Sequence, residues 1–522
     1  MSRRGLMKKC LIIWLLLPAQ LCWAQRVLYS PFFDANPATR HYQMAGKTGP
    51  NYWTIREKKT AYGRSATDAV FEGYDIYDDQ LEKLRSIDRV DAGSDVRKTY
   101  FVSGKSFFDE FMVCDAPNHS VFRVTRYEAD GSILWPRKAI DSIPFHESAN
   151  SFLLLRSENQ SRILLLAFEH PYFSNPRIHA MLFDGDWNQL YSRIYTHEWL
   201  TQPMIQFEDY NFPVEPFSNS PVKLTNDGDW VMVSPSRTNQ NYLLFHFGKK
   251  DSSFTWQELK VSPSASVEEI GISIDNESRE VSTGILCKLR YPTLKSVSLA
   301  RYNMAERKLV FDSSFRFNTV SGGKVRNENL VQENFVSLPG GGFVLLKEYG
   351  RPYRSSLDSE SEFEDQLTTE RLTDPIFSTP GTLQPVNRDG YTRFNNLAGP
   401  ANKYERGDLS LFYFPVGSAD SIWSGIINKE QVTELNSSYL SYLAIPYQDR
   451  LFLVYNSYFR NEAQYGSTTI LDRQGHPVDD GGVIFWKIRN TLLFQRARQI
   501  SRGEVMVPYT RNRSEGFAVI RF

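Results

Sequence analysis

Val222-Lys223-Leu224, a turn, and Gly228-Asp229-Trp230-Val231-Met232-Val233 make an apolar hairpin that comes back along this chain. It returns as Val336-Ser337-Leu338, a turn, and Gly341-Gly342-Phe343-Val344-Leu345-Leu346. It returns again where Ala497 to Ile500 leads through Ser501-Arg502-Gly503 into Glu504-Val505-Met506-Val507. Recurrence at multiples of about 50 residues marks stacked units, none of which buries its apolar face until a neighbour covers it. The chain is therefore expected to be all-β and to form a single β-propeller.

The second half of each unit carries its own signal: an apolar strand, a polar turn and a strand of alternating character. It is read in Tyr74 to Ile87 around Asp78-Asp79, in Arg126 to Trp135 around Asp130-Gly131, in Met181 to Tyr191 around Asp184-Gly185-Asp186, and in Ala300 to Phe311 around Ala305-Glu306. Aspartate and glycine suit such turns because they tolerate positive φ or cap their own backbone. Less regular copies at Tyr242–Leu259, Leu409–Ile427 and Thr468–Trp486 bring the set to seven. An eighth unit stops after its third strand, Gly516 to Arg521, and Arg26-Val27-Leu28-Tyr29 is free to supply the fourth. Eight four-stranded blades are expected, closed by pairing of the N-terminal and C-terminal strands, which removes the open edges. Seven is the alternative if residues 25–90 are an appendage.

The repeat style resembles that of secreted bacterial β-propeller repeat proteins, and the hairpin Leu338-Pro339-Gly340-Gly341-Gly342-Phe343 is similar to their glycine-rich hairpins. The resemblance covers most of the chain and implies a fold without an activity. Neither the Trp-Asp endings of WD40 repeats nor the Ser-X-Asp-X-Gly-X-X-Trp box of sialidase-type propellers is present.

Residues 1–24 read as an export signal: Arg3, Arg4, Lys8 and Lys9, then an apolar run from Cys10 to Leu17, then Cys22-Trp23-Ala24. That run is shorter than the roughly 20 residues that span a bilayer. Lipid attachment at Cys22 is disfavoured by the bulky Gln20-Leu21 before it. Residues 25–522 are then one exported domain with no membrane span, secreted or periplasmic. With 60 basic and 60 acidic residues, bulk charge gives no hold on nucleic acid or anionic membrane. Cys114 and Cys287 fall in what count as the second and fifth blades, too far apart for a bond that needs Cα atoms within about 7 Å, so both are expected as buried free thiols.

In a four-stranded blade the first and third turns share one rim, while the second turns and the blade-to-blade crossings share the other. The tight Asp-Gly turns belong to the plain rim. The longer, aromatic-rich connections, including 146–151, 169–176, 196–219, 456–467 and a large insertion at 349–408, belong to the opposite loop face, where function tends to sit. A Tyr-X-Arg spacing recurs there, at Tyr62 and Arg64, Tyr349 and Arg351, Tyr458 and Arg460, and Tyr509 and Arg511. Arg290 with Tyr291, and Tyr172, occupy similar places, and Trp199 is an aromatic of a loop on the same face. Arginine offers a planar fork to an anion and tyrosine a stacking face, so these residues are the candidate ligand-binding set. The competing reading is that each Arg stacks on its own Tyr or pairs with the acidic run Asp358 to Glu370 of the insertion.

Catalytic chemistry has no recognisable signature. Asp184 with Asp186, and Asp227 with Asp229, look like carboxylate pairs, but turn chemistry accounts for them. No His-Glu-X-X-His, no Gly-X-Ser-X-Gly and no phosphate-cradling loop occurs, so neither metal nor cofactor is expected. The expectation is a secreted, monomeric, non-catalytic propeller that binds or scaffolds an extracellular or envelope protein, peptide or polysaccharide, an anionic one among the candidates. The alternative is a carbohydrate-active enzyme, glycoside hydrolase or polysaccharide lyase, using the same loop face.

Overall fold

The computed structural model describes residues 26–33, 40–58, 70–89, 95–144, 151–169, 177–198, 200, 212–215, 218–236, 241–251, 253–262, 265–289, 294–318, 329–338, 341–353, 403–417, 423–427, 431–433, 442–447, 450–459, 462–472, 477–486, 490–511 and 514–522. They form eight antiparallel sheets. Seven are blades of consecutive strands: blade 1 (40–88), blade 2 (96–144), blade 3 (151–196), blade 4 (222–259), blade 5 (266–318), blade 6 (329–427, with Gln431–Thr433 added at its third strand) and blade 7 (442–486). The eighth, the closing sheet, is composite. Its strands Thr491–Leu492, Arg498–Ser501, Glu504–Arg511 and Ser514–Arg521 are completed by Arg26–Tyr29, which pairs Arg26 with Arg521 and Tyr29 with Ala518. The all-β propeller closed by its two ends is thus present. The blades of consecutive strands number seven, and the strands expected to make an eighth form the composite closing sheet.

The strands form where the sequence alternates and stop where local chemistry turns the backbone. Asp78 accepts from the amides of Gln80 and Glu82, Asp130 from Ser132, and Asp184 from Asp186 and Asn188. These side chains imitate a backbone turn. Leu81 and Trp187 sit inside such turns at φ 67° and 59°.

Eight apolar clusters fill the eight interfaces between neighbouring sheets, among the described residues. Each takes one face from either side, which is why no unit could stand alone. Aromatic rings span many of these seams. Trp53 of blade 1 stacks on Phe108 of blade 2 at 4.4 Å, Phe111 of blade 2 on Trp187 of blade 3 at 5.0 Å, and Tyr77 of blade 1 meets Phe517 of the closing sheet edge-on at 4.8 Å. Much of the aromatic content of the described residues is spent here.

A second device holds the plain rim. Arg126 of blade 2 donates to the Gly185 carbonyl of blade 3 at 2.7 Å, Arg193 of blade 3 to Gly248 of blade 4 at 3.3 Å, and Arg301 of blade 5 to Val416 of blade 6 at 2.6 Å. Each guanidinium latches onto the third turn of the next blade.

Cys114 lies in the second strand of blade 2 and Cys287 in that of blade 5. Both are buried and free, as expected. Burial pushes the Cys287 thiol up to about 12. No described helix is long and apolar enough to cross a membrane.

Candidate functional site

The central channel is where the sheets bring distant residues together, and its wall is the innermost strand of each sheet. Three of those strands carry a cation, two of them within an apolar run. Arg156 ends Phe-Leu-Leu-Leu-Arg in blade 3, Lys223 stands between Val222 and Leu224 in blade 4, and Arg498 opens the closing sheet's inner strand. All three are buried. A charge cannot stay there unpaired, so a partner must come from within the channel.

That partner is supplied by the connection between blades 3 and 4, expected as a face loop over 196–219. Its residues 212–215 and 218–219 run into the channel instead. Val214 adds to the channel-facing edge of blade 3: its amide donates to Leu154 O at 2.7 Å, and the Arg156 amide donates to Val214 O at 3.3 Å, with Val214 parallel to Leu155. Glu215 then lies between the two arginines. Its Oε2 accepts from Arg156 Nε at 3.2 Å and Nη2 at 2.6 Å, and its Oε1 accepts from Arg498 Nη2 at 2.9 Å. Phe212 lies beneath the Arg498 guanidinium at 3.7 Å. Lys223 donates to the carbonyls of Glu215 and Ser218. Burial lowers Lys223 to about 7 and Arg498 to about 10, and the Glu215 carboxylate opposes both shifts.

The walls are shaped to receive this arrangement. The innermost strand of blade 1 slips register between Met44 and Gly46, with Gly46 at φ 136°. The bulge turns two carbonyls inward, and Arg498 Nη1 donates to Met44 O at 3.2 Å and Ala45 O at 2.8 Å. Arg156 Nη1 is tied to Ser103 O of blade 2. Farther round, Asn219 donates to Phe335 O at 2.7 Å and to Glu269 Oε1 at 2.6 Å. It fits only because residue 271 is glycine, where a Cβ would stand 2.4 Å from Asn219 Oδ1.

Towards the loop face, blades 5, 6 and 7 contribute a polar cluster. Lys295 bridges Glu268, at 2.5 Å, and Glu333, and Lys347 approaches Glu333 at 3.5 Å. Asn334 donates to Tyr442 Oη at 2.8 Å. Burial raises Glu269 well above the usual carboxylate range, raises Tyr442 with help from the Glu348 charge, and lowers Lys347.

At the plain rim the channel mouth is crossed by first-turn residues. Arg502 pairs with Glu158, which accepts from Asn276 Nδ2 at 3.0 Å, while Asn276 Oδ1 accepts from the Asn226 amide at 2.8 Å and Asn226 Oδ1 from the Asn159 amide at 2.9 Å. This network spans the closing sheet and blades 3, 4 and 5. The same rim holds a cleft of about 410 Å³ lined by Asp229, His246, Lys249, Arg279 and Arg307. Its charges are largely spoken for: Arg279 pairs with Asp229 at 2.7 Å and Arg307 with Asp251. The Asp184 and Asp229 carboxylates thus work in turns and seams.

Of the Tyr-X-Arg set, Tyr509 is buried and donates to Ser30 O at 2.6 Å, while Arg511 is exposed at the end of the same strand. Tyr349 and Arg351 lie in the second strand of blade 6 and Tyr458 in that of blade 7, at the loop-face ends. Tyr62, Arg64, Tyr172, Trp199, Arg290, Tyr291 and Arg460 fall outside the described residues, as do most of the insertion and the export signal. Among the described residues no group of three His, Cys, Asp or Glu side chains is placed to hold a metal. Arg156, Lys223, Glu215 and Arg498 were not singled out by sequence reasoning. The available signal, a cation inside an apolar inner strand, marks Arg156 and Lys223 but neither Glu215 nor Arg498.

No protein-family model matches the chain, and no curated protein matches it in sequence. Among solved structures it is similar to the polysaccharide lyase Uly1, at 10% identity over 95% of this chain and 99% of that one, with a TM-score of 0.35. It is similar to the Dos1 propeller at 10% identity over 94% of both chains, with a TM-score of 0.39. It also overlays a prolyl endopeptidase at 10% identity and a TM-score of 0.35, over 80% of this chain but 46% of that one, so it spans under half of that protein's length. The propeller assignment rests on the strand pairings above.

Proposed function

We propose that the chain is an exported, non-catalytic binding propeller that receives an anionic ligand from its loop face. One observation carries this reading: Arg156 and Arg498, from sheets far apart in sequence, converge buried on a single carboxylate in the channel. Opposed guanidinium forks recognise an anion and supply neither a general acid nor a nucleophile at neutral pH. The ligand would come from an extracellular or envelope protein, peptide or polysaccharide, met by a monomer whose Tyr-X-Arg loops widen the contact.

A second reading is favoured by the cluster of Glu269, Glu333, Glu348 and Tyr442. Burial favours the neutral form of the Glu269 carboxyl, and such a group set among other carboxyl side chains is the arrangement that a carbohydrate-active hydrolase or lyase uses as a general acid. The test is a binding screen of the mature protein against acidic and neutral polysaccharides and acidic peptides at low and high salt, with product release followed in the same wells. Salt-sensitive binding of anionic ligands without turnover is the expected result. Release of sugar products would overturn the non-catalytic reading and direct mutagenesis to Glu269.

A further inference from the structure

We propose that the channel seat of Arg156 and Arg498 is a binding site for an acidic peptide in extended conformation, and that residues 212–215 of the chain occupy it in cis. The proposal deepens the binding reading and rests on it.

The occupant itself shows the chemistry that fits. It is held as an added strand, through the Val214 amide on Leu154 O and the Arg156 amide on Val214 O, which is the backbone half of peptide recognition by strand addition. Specificity comes from two side chains along that strand. The Glu215 carboxylate takes three charge-assisted hydrogen bonds, and the Phe212 ring, three residues earlier, lies under the Arg498 guanidinium. A free sugar acid would satisfy the arginines but leave the Leu154 carbonyl and the Arg156 amide without these partners. The pattern therefore selects a peptide of the form aromatic-X-X-Glu.

The seat does not depend on Glu215 for its shape. Arg156 is oriented by Ser103 O and Arg498 by the carbonyls of Met44 and Ala45, so the walls hold both forks in place. A site organised in advance binds with less ordering cost. Two guanidinium groups face one carboxylate, and the Glu215 side chain keeps 12% of its surface accessible against 3% for Arg156, so the seat is not sealed. The plain-rim network of Arg502, Glu158 and Asn276 lies across the other mouth, which leaves the loop face as the approach.

The experiment compares the full mature chain with its Glu215→Gln variant, which keeps the shape of the side chain and removes its charge. The probe is a labelled peptide with the sequence of residues 212–219, Phe-Pro-Val-Glu-Pro-Phe-Ser-Asn, and a control peptide carrying glutamine in place of glutamate. Fluorescence anisotropy is expected to show the glutamate peptide binding the variant at least tenfold more tightly than the wild type, with the control peptide at least tenfold weaker. Equal affinity for the two proteins, or for the two peptides, would overturn the proposal and leave the Glu215 contact as internal packing. Should the variant fail to fold, wild-type chain saturated with peptide is followed by amide hydrogen exchange: faster exchange at Val214 supports displacement, and unchanged exchange rejects it. Product release in the polysaccharide screen would sink the non-catalytic reading without touching the seat. Polysaccharide binding with no peptide binding would sink the seat alone.

Discussion

Arg126 and Asp109 stand opposite each other on adjacent strands of blade 2 and are joined by two parallel hydrogen bonds, Nε to Oδ1 at 2.8 Å and Nη2 to Oδ2 at 2.9 Å. Both are buried, and Trp187 of blade 3 donates its indole N–H to the same Oδ2 at 2.8 Å. The pair therefore orients the latch between blades 2 and 3. Removing one member of a buried pair strands the other charge, at a cost of about 3 to 5 kcal/mol. Asp109→Asn is expected near the lower end, because Asp186 still reaches Arg126 Nη1 at 2.9 Å. Asp186→Asn should cost far less, since that side chain is mostly exposed. Urea titration of the two variants checks the order, and equal midpoints would refute the latch.

Closure of the ring rests on residues 26–33. Beyond the four paired residues, the Ser30 amide donates to Phe517 O, its side-chain Oγ accepts from the Phe517 amide and its carbonyl oxygen accepts from Tyr509 Oη, and Phe33 stacks on Tyr42 at 3.8 Å. A chain beginning after residue 33 would expose the edge of strand Ser514–Arg521, an invitation to pair with another molecule. The truncated protein is expected to melt at least several degrees lower and to self-associate, as read by calorimetry and light scattering. A monomer with unchanged melting would show that the closing strand is dispensable.

The strand pairs were legible because their determinants are local. An aspartate two residues before the amide that it caps, or a glycine in a hairpin, acts within one turn, as Asp184 and Gly341 (φ 95°) do. The closing strand was legible too, because an unfinished last unit and a spare first strand answer each other. The channel seat was not. Glu215 and Arg498 are 283 residues apart, and no periodicity connects them. The Tyr-X-Arg spacing misleads at Tyr509 for a related reason. Residues two apart share a face of a strand, but Tyr509 still lies inside the seam whereas Arg511 is past its rim.

Gly271 tests whether the channel segment is seated by shape. An added methyl would stand 2.4 Å from Asn219 Oδ1 and 3.0 Å from Phe343 Cε1, and both neighbours are confined. Overpacking of this kind costs about 1 to 3 kcal/mol. Gly271→Ala is expected to lower stability by that amount and to raise hydrogen exchange at Val214, because Asn219 anchors the far end of the segment. Asn219→Ala in the same background should recover part of the loss. Failure of the second substitution to compensate would place the strain elsewhere.

Lys223 gives the channel a pH signature whose sign follows from its burial. Its folded-state value is lowered to about 7, whereas an unfolded lysine titrates near 10.4. Below pH 7 both states carry the proton, and the fold bears the full cost of a buried charge. Between about pH 7 and 10 the unfolded chain binds the extra proton, so stability rises with pH across that window, by up to about 1.4 kcal/mol per pH unit. Lys223→Met keeps the stem and removes the titration, so its stability should be flat where the wild type climbs. Denaturant midpoints at pH 6.5, 8 and 9.5 for the two proteins provide the comparison. A wild-type slope that is absent, or that persists in the variant, would mean that the hydrogen bonds from Lys223 to the Glu215 and Ser218 carbonyls hold its charge at no net cost.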